Sequence, residues 1–480
     1  MQKKIQQIPW LMLLLGPAVM LLTVITEPPV ADLSVNAWRT AGLAFWMASW
    51  WISEAVPIPA ASLLPLIISP LVGIADIKSV AAPYAHPLIF LFLGGFLISI
   101  AMEKWNLHKR IALKTMLLAG STPSIQILGM MLVTAFLSMW MSNTATAVMM
   151  LPIALSVVMI VKNREPENQD FGKAMLLGIA YSASIGGIAT LIGTPPNALM
   201  AAYLSDSYNI EIGFGQWMML GLPLAAVMLT VAWVWLTKIS YRVDRSDSIC
   251  AKAVFQKQLD ELGAITPAEK KVLVIFALAA ISWIFRPIIS DATGLAITDT
   301  GIAIAAAILL FTIPVSKDNN ERVLDWESAE KVPWGILILF GGGLALAAHI
   351  KSSGLAEFIA HQIQGMGAVE LVIGVLVVTA VITFLTEITS NTATAAGFLP
   401  LLGPVAESLT GTPLIWVIPA AIAASCAFMM PVATPPNAIV FGSGELKIRD
   451  MMKAGLILNL IAIALITLTM ITLMPMIFHI

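Results

Sequence analysis

Apolar runs long enough to cross a bilayer recur from one end of this chain to the other, and nothing else constrains its fold as strongly. Ile8–Thr26 and Leu456–Ile480 each come near the ~20 residues that a helix needs to span the hydrocarbon. Polar punctuation places segments at about 8–27, 39–55, 58–73, 86–113, 172–204, 213–237, 272–288, 297–314, 333–360, 413–442 and 454–478. Two more stretches, 124–161 and 368–407, are too long for one span, and each carries a polar break near its middle. The expected fold is an all-α polytopic membrane protein with about eleven transmembrane helices and two re-entrant hairpins. Only 11% of the 480 residues are charged, against ~25% in soluble domains, which is too few to cover a globular surface. Met1–Gln7 is a short basic start before an apolar run, so the first span is expected to stay rather than be cleaved. A net charge of −2 gives no reason to expect a nucleic-acid partner. Cys250 and Cys426 lie far apart and read as structural thiols outside any disulfide or metal site.

Charge placement orients the chain. With the N-terminus in the cytoplasm, Lys3, Lys4 and the basic residues of Lys104–Lys114, Lys162–Lys173, Lys238–Lys271, Lys317–Lys331 and Lys447–Lys453 share that side. Of 26 Lys and Arg residues only Arg39, Lys78, Arg286 and Lys351 fall elsewhere, as the positive-inside rule requires. The first hairpin then opens inward and the second outward. Lys238–Lys271, the longest hydrophilic segment, divides the halves, and it and Ser316–Lys331 suit short amphipathic helices at the interface. Trp50, Trp51, Trp105 and Trp334 read as interfacial belt residues, and His349 and Lys351 as flanking a span end.

An internal repeat narrows the function. Ser142-Asn143-Thr144-Ala145-Thr146-Ala147 recurs 248 residues later as Ser390-Asn391-Thr392-Ala393-Thr394-Ala395. At the same offset Gly94-Gly95 matches Gly342-Gly343, Leu107 matches Leu355, and Leu151-Pro152 matches Leu399-Pro400. Thr194-Pro195-Pro196-Asn197 recurs 240 residues later as Thr434-Pro435-Pro436-Asn437. A low-complexity Ala/Thr helix matching itself would not repeat a tetrapeptide in the same order. An odd number of crossings separates the copies, which makes them inverted, and inverted repeats meeting at the midplane mark secondary transporters.

The motifs suit ions. Irregular backbone survives in a bilayer only where it lines a cavity. A hairpin tip there frees carbonyls that suit a hard cation and helix-start amides that suit an anion. Two prolines in succession break a helix and unwind Gly193-Thr194-Pro195 and Ala433-Thr434-Pro435. Ser138 and Thr386, also 248 apart, stand one helical turn before each tip. Two matched oxygen clusters result: Ser138, Ser142, Asn143 and Gly193; and Thr386, Ser390, Asn391 and Ala433. Neither contains a carboxylate, so sodium fits better than calcium or magnesium, which recruit acids. Alternatively, Ser, Asn and Thr could only cap and glue helices, but their pairing by the repeat favours a site. Glu387, beside Thr386, could bind a proton or tune the sodium site, or be a structural acid at a cavity edge; Glu54 reads as a structural acid between two spans. His86, His108, His349, His361 and His479 show no metal-ligand spacing.

On these motifs, and on Ser53-Glu54-Ala55-Val56-Pro57-Ile58-Pro59, the chain resembles the divalent anion/sodium symporter family along essentially its whole length. That family includes sodium-coupled dicarboxylate, citrate and sulfate carriers. The resemblance implies a homodimer in the bacterial cytoplasmic membrane, working by an elevator mechanism, with sodium as coupling ion and no other cofactor. It implies a scaffold from 1–123 and 272–367, a transport domain from 124–237 and 368–480, and a cytoplasmic linker at 238–271. It also implies substrate carboxylates held by Asn143, Thr144, Thr194, Pro195, Asn391, Thr392, Thr434 and Pro435. A sodium-coupled symporter of C4-dicarboxylates is the first reading; a dicarboxylate/citrate exchanger or a sodium-coupled sulfate carrier on the same fold is the alternative. A membrane-embedded enzyme would need a nucleophile–base pair or a ligand cluster at membrane depth, and the sequence offers none. A channel would need polar stripes on several spans, whereas polarity here concentrates in the two motif pairs.

Overall fold

The structure, a computed structural model, describes residues 10–120, 122–164, 169–241, 243, 251–316, 321–364 and 370–479. Lys3, Lys4, Arg242, Arg245, Lys317 and Cys250 of the sequence reading lie outside the described residues; Cys426 is buried. Among the described residues the chain is helical, with one isolated antiparallel bridge between Pro314 and Arg322. Six helices among the described residues are long and apolar enough to cross a membrane, or seven when the bent pair Pro267–Ile284 and Arg286–Thr293 counts as one span. The other apolar helices are shorter, as expected where spans are broken.

The repeat is visible in the helix boundaries. Leu371–Thr386 follows Pro123–Ser138 by 248 residues at both ends, and Asn391 opens its helix as Asn143 opens the first. Each expected hairpin is therefore two helices with a four-residue break, at 139–142 and at 387–390. The stretches 86–113 and 333–360 are not single spans. Pro87–Lys104 stops before Leu107–Leu118, where Asn106 turns through left-handed backbone (φ 55°) and Trp105 Nε1 donates to Val323 O at 2.7 Å. Trp334–Ser352 stops at Gly354 (φ 83°), a conformation that glycine adopts without strain. The two breaks precede Leu107 and Leu355, the matched leucines of the repeat.

The helices gather into two compact units. One holds Met1–Ile89, Leu199–Glu211 and Pro333–Ala424. Within it, backbone approaches backbone so closely that a Cβ on Gly342 would lie 2.3 Å from Ser62 O. Trp51 and His349 belong to this interior rather than to an interfacial belt. Trp51 is 1% exposed and donates to Ser62 Oγ at 3.1 Å, and His349 lies 2.9 Å from Ser69 Oγ. A polar partner on a neighbouring helix lets each ring sit inside, which hydropathy alone does not reveal. Glu54, exposed, ends Val35–Ser53 in left-handed backbone (φ 49°), a structural role in keeping with its place before Pro57.

The other unit holds Phe90–Ala198, Ile212–Val332 and Ser425–Ile480. Four of its ion pairs join segments that the charge map placed on one face: Lys104 with Asp325 (2.5 Å), Arg110 with Glu269 (2.7 Å), Lys162 with Glu445 (2.9 Å) and Lys173 with Asp450 (3.4 Å); Arg286 pairs with Asp299 at 3.0 Å apart from them. The Lys104 ammonium, with the Ser328 amide, holds the Asp325 carboxyl down to about 2. The buried Arg110 also donates to Gly263 O at 2.9 Å, tying down the turn after Ala251–Glu261. That helix is the amphipathic element expected in the linker. Ser316–Lys331 differs: its described part forms the bridge and the one-turn helix Trp326–Ala329, not an amphipathic helix.

Candidate functional site

Both tips form for the same local reasons. Pro123–Ser138 closes with Met139 N and Met141 N donating back to Ala135 O and Leu137 O. Ser142 Oγ then accepts from Ala145 N at 3.2 Å and Ser142 O from Thr146 N at 3.0 Å, so this residue caps the next helix. Thr190 Oγ1 donates to Met139 O at 2.5 Å, fixing the break. In the second copy Thr394 N donates to Ser390 O at 2.8 Å, but the Ser390 hydroxyl caps nothing. There Thr389, in the place of Met141, lies 2.6 Å from Thr394 Oγ1, and Glu387, in the place of Met139, is buried.

Part of each expected oxygen cluster comes together: Ser138, Asn143 and Gly193 in one unit, Thr386 and Asn391 in the other. Ser138 Oγ lies 2.6 Å from the Asn143 carboxamide and 2.7 Å from Ala183 O. The inward end of that carboxamide also lies 3.1 Å from Ala183 O and 3.2 Å from Gly193 O. In the second copy Thr386 Oγ1 lies 2.7 Å from Asn391 Oδ1 and 3.0 Å from Ala424 O. A hydroxyl carries one proton, yet each of these meets two oxygens when the amide oxygen faces inward. Such a surplus of buried acceptors fits a bound cation. The carbonyls of Ala183 and Ala424 escaped the sequence reading, because their offset of 241 breaks the register of 240 that relates the Thr-Pro-Pro-Asn copies. Ala433 lies in a different unit from Asn391.

Asparagines staple the broken helices. Asn197 Nδ2 donates to Thr190 O at 2.8 Å and lies 3.2 Å from Gly187 O and Ile188 O. Asn437 Nδ2 donates to Ala427 O at 3.1 Å and Met430 O at 3.0 Å, the same acceptors 240 residues on. The sequence placed these residues in the motif, but their role shows only in the folded chain. Thr194 is buried, 3.3 Å from Ser425 Oγ, and Thr434 Oγ1 accepts from Asn437 N at 3.2 Å. Asn143, Asn391, Thr392 and Pro195 are half-buried, and Thr144 and Pro435 are exposed. No Lys or Arg stands in either motif. A cavity of about 550 Å³ opens elsewhere, beside Tyr203, Lys351, Glu357 and Glu407, and no motif residue lines it.

The pattern of the family described as the sodium:sulfate symporter transmembrane region matches residues 8–480. The chain is 41% identical over 472 residues to the sodium-dependent dicarboxylate transporter SdcS of Staphylococcus saprophyticus, covering 96% of this chain and 91% of that one. It is 42% identical over 475 residues to SdcS of Staphylococcus aureus strain USA300, covering 97% and 91%. Among solved structures, the YdaH transporter of Alcanivorax borkumensis shares the fold, with a TM-score of 0.55 and 15% identity over 96% of both chains. The chain belongs to the sodium:sulfate symporter family, the divalent anion/sodium symporters, which are multi-pass membrane transporters and not enzymes.

Proposed function

We propose that this chain carries C4-dicarboxylates of the succinate, malate and fumarate class across the bacterial cytoplasmic membrane together with sodium. One observation carries the reading: with the amide oxygen facing inward, each Ser-Asn-Thr copy gathers more oxygens than protons around a hydroxyl one turn earlier. Ser138, Asn143, Gly193 and Ala183 would hold one sodium, with Ser142 shaping the tip; Thr386, Ser390, Asn391, Ala433 and Ala424 would serve the second. Asn143, Thr144, Asn391 and Thr392, with Thr194, Pro195, Thr434 and Pro435, would receive the dianion. The names of the relatives, each a sodium-dependent dicarboxylate transporter, support this choice of ion and solute. With no basic side chain in the motifs, bound sodium supplies the compensating charge, since opposite charges attract far more strongly at low dielectric than in water. Sodium and dianion then raise each other's affinity by the same factor.

Initial uptake of labelled succinate into proteoliposomes, with sodium, potassium, lithium or choline outside, tests the reading. Uptake should be sigmoidal in sodium and negligible in choline. Ser138→Ala and Thr386→Ala should each raise the sodium needed for half-maximal rate, with smaller losses at saturating sodium. Uptake that persists in choline, driven only by internal dicarboxylate, would make the chain an exchanger. Competition by sulfate above succinate would make it a sulfate carrier.

We further propose an elevator motion, in which 124–237 and 368–480 slide against 1–123 and 272–367, with the N-terminus cytoplasmic. The inverted repeat and the charge map support it. A Cβ on Gly343 would lie 3.3 Å from the Ala396 Cβ, close to the ~3.5–4.5 Å of a disulfide. Gly343→Cys with Ala396→Cys should therefore crosslink and arrest transport until reduced, and a cysteine beside Gly411 should react from outside only. Full transport with complete crosslinking would argue for a fixed site with gates.

A further inference from the structure

The Asn143 carboxamide can satisfy its surroundings in two ways. It has oxygen at one end, nitrogen at the other and nearly the same shape either way round. With the nitrogen inward its two protons serve Ser138 Oγ and Gly193 O at 2.6 and 3.2 Å, the Ser138 hydroxyl donates to Ala183 O at 2.7 Å, and the cluster needs no ion. With the oxygen inward, four oxygens face one another, and the Ser138 proton is the only one among them. The two orientations also set the opposite end of the amide. Asn143 is half-buried beside exposed Thr144 at the start of its helix, and in the dicarboxylate reading above its other end is the one that meets the anion. An oxygen there repels a carboxylate, whereas an N–H donates to it.

We propose that Asn143 couples ion to dianion by a half-turn of its carboxamide. Without sodium the nitrogen faces in; sodium draws the oxygen in and so presents the N–H outward to the carboxylate. This rests on the sodium-coupled dicarboxylate reading above and adds the device that links the two ligands. Gly187 is the positioning residue that leaves room for the turn. A Cβ there would lie 2.9 Å from Asn143 Oδ1, 3.2 Å from Nδ2 and 3.0 Å from Gly193 O. The second repeat carries Ala427 at the matching position, 240 residues on.

The test reads the amide directly. The full chain is labelled with ¹⁵N at asparagine side chains in lipid nanodiscs, and the Asn143 signal is assigned by its absence in Asn143→Ser. In choline its amide protons should exchange slowly with solvent. Saturating sodium chloride should shift the signal and speed exchange at least tenfold, and added succinate should slow it again. Binding of ²²Na is measured on the same sample. Sodium that binds without moving the Asn143 signal overturns the half-turn while leaving symport intact. Failure of sodium to bind at all overturns symport and the half-turn together. Gly187→Ala, with its folding checked by thermal melting, should abolish the sodium-dependent shift and cut at least tenfold the factor by which sodium raises succinate affinity. If it folds and keeps both, the role of Gly187 is lost.

Discussion

Alanine in place of Asn143 or Asn391 is expected to reduce succinate uptake by about 100-fold while the chain still folds. On the function proposed above, each change would remove a donor to a carboxylate and an oxygen from a cation cluster. A hydrogen bond to a charged group contributes roughly 1.5–3 kcal/mol, and two such losses come to about 3 kcal/mol or more, which is about 100-fold. Folding should survive, because both side chains are only half-buried. The check is initial uptake at saturating sodium, with melting of the purified variants as control. Two equivalent tips also imply that a monocarboxylate fills only half the site. Butyrate competing as well as succinate, or either alanine variant retaining near-normal uptake, would break the two-tip account.

Asn197→Ala and Asn437→Ala should act the other way, on stability before transport. Both side chains are fully buried, and their amide nitrogens hold carbonyls that the broken helices cannot satisfy. Losing Asn197 strands the carbonyls of Gly187 and Thr190, while Ile188 O keeps the Trp217 indole N–H at 3.0 Å. Each stranded group costs about 1–3 kcal/mol, so a loss of about 2–6 kcal/mol is expected, against whole-domain stabilities of about 5–15 kcal/mol. Asn197→Asp should be no milder, because a carboxylate cannot donate. The readout is folded yield and thermal melting in detergent. Variants that melt like the wild type would show that the staple is dispensable.

Much of this was legible in the sequence because membrane chains announce their helices by apolar length, and duplicated motifs announce their partners by offset. The breaks at 139–142 and 387–390, and the pairing of Ser138 with Asn143 and of Thr386 with Asn391, follow from those two signals. Less was legible where backbone carries the role. Ala183 and Ala424 contribute carbonyls, and an alanine gives no sign of where its carbonyl points. The breaks before Leu107 and Leu355 hide inside apolar stretches, where hydropathy runs on while the helix turns. Trp51 and His349 look interfacial by residue type, yet each is buried against a serine from another helix.

The paired prolines give each repeat one helix start that cannot hold an anion by its backbone. Pro435 and Pro436 supply no amide proton, and the next two, on Asn437 and Ala438, are already taken by Thr434. The dipole still points its positive end outward there, but without a hand to grip with. At Asn391 the opposite holds, since the Ser390 hydroxyl caps none of the helix and its first-turn amides stay available. Within a single repeat, then, the backbone of one helix opening is silent toward negative charge and leaves only the Thr434 hydroxyl to meet a dianion, while the other offers amide protons. This division of polarity resides in the main chain, so changes to the motif side chains would weaken it without reversing it.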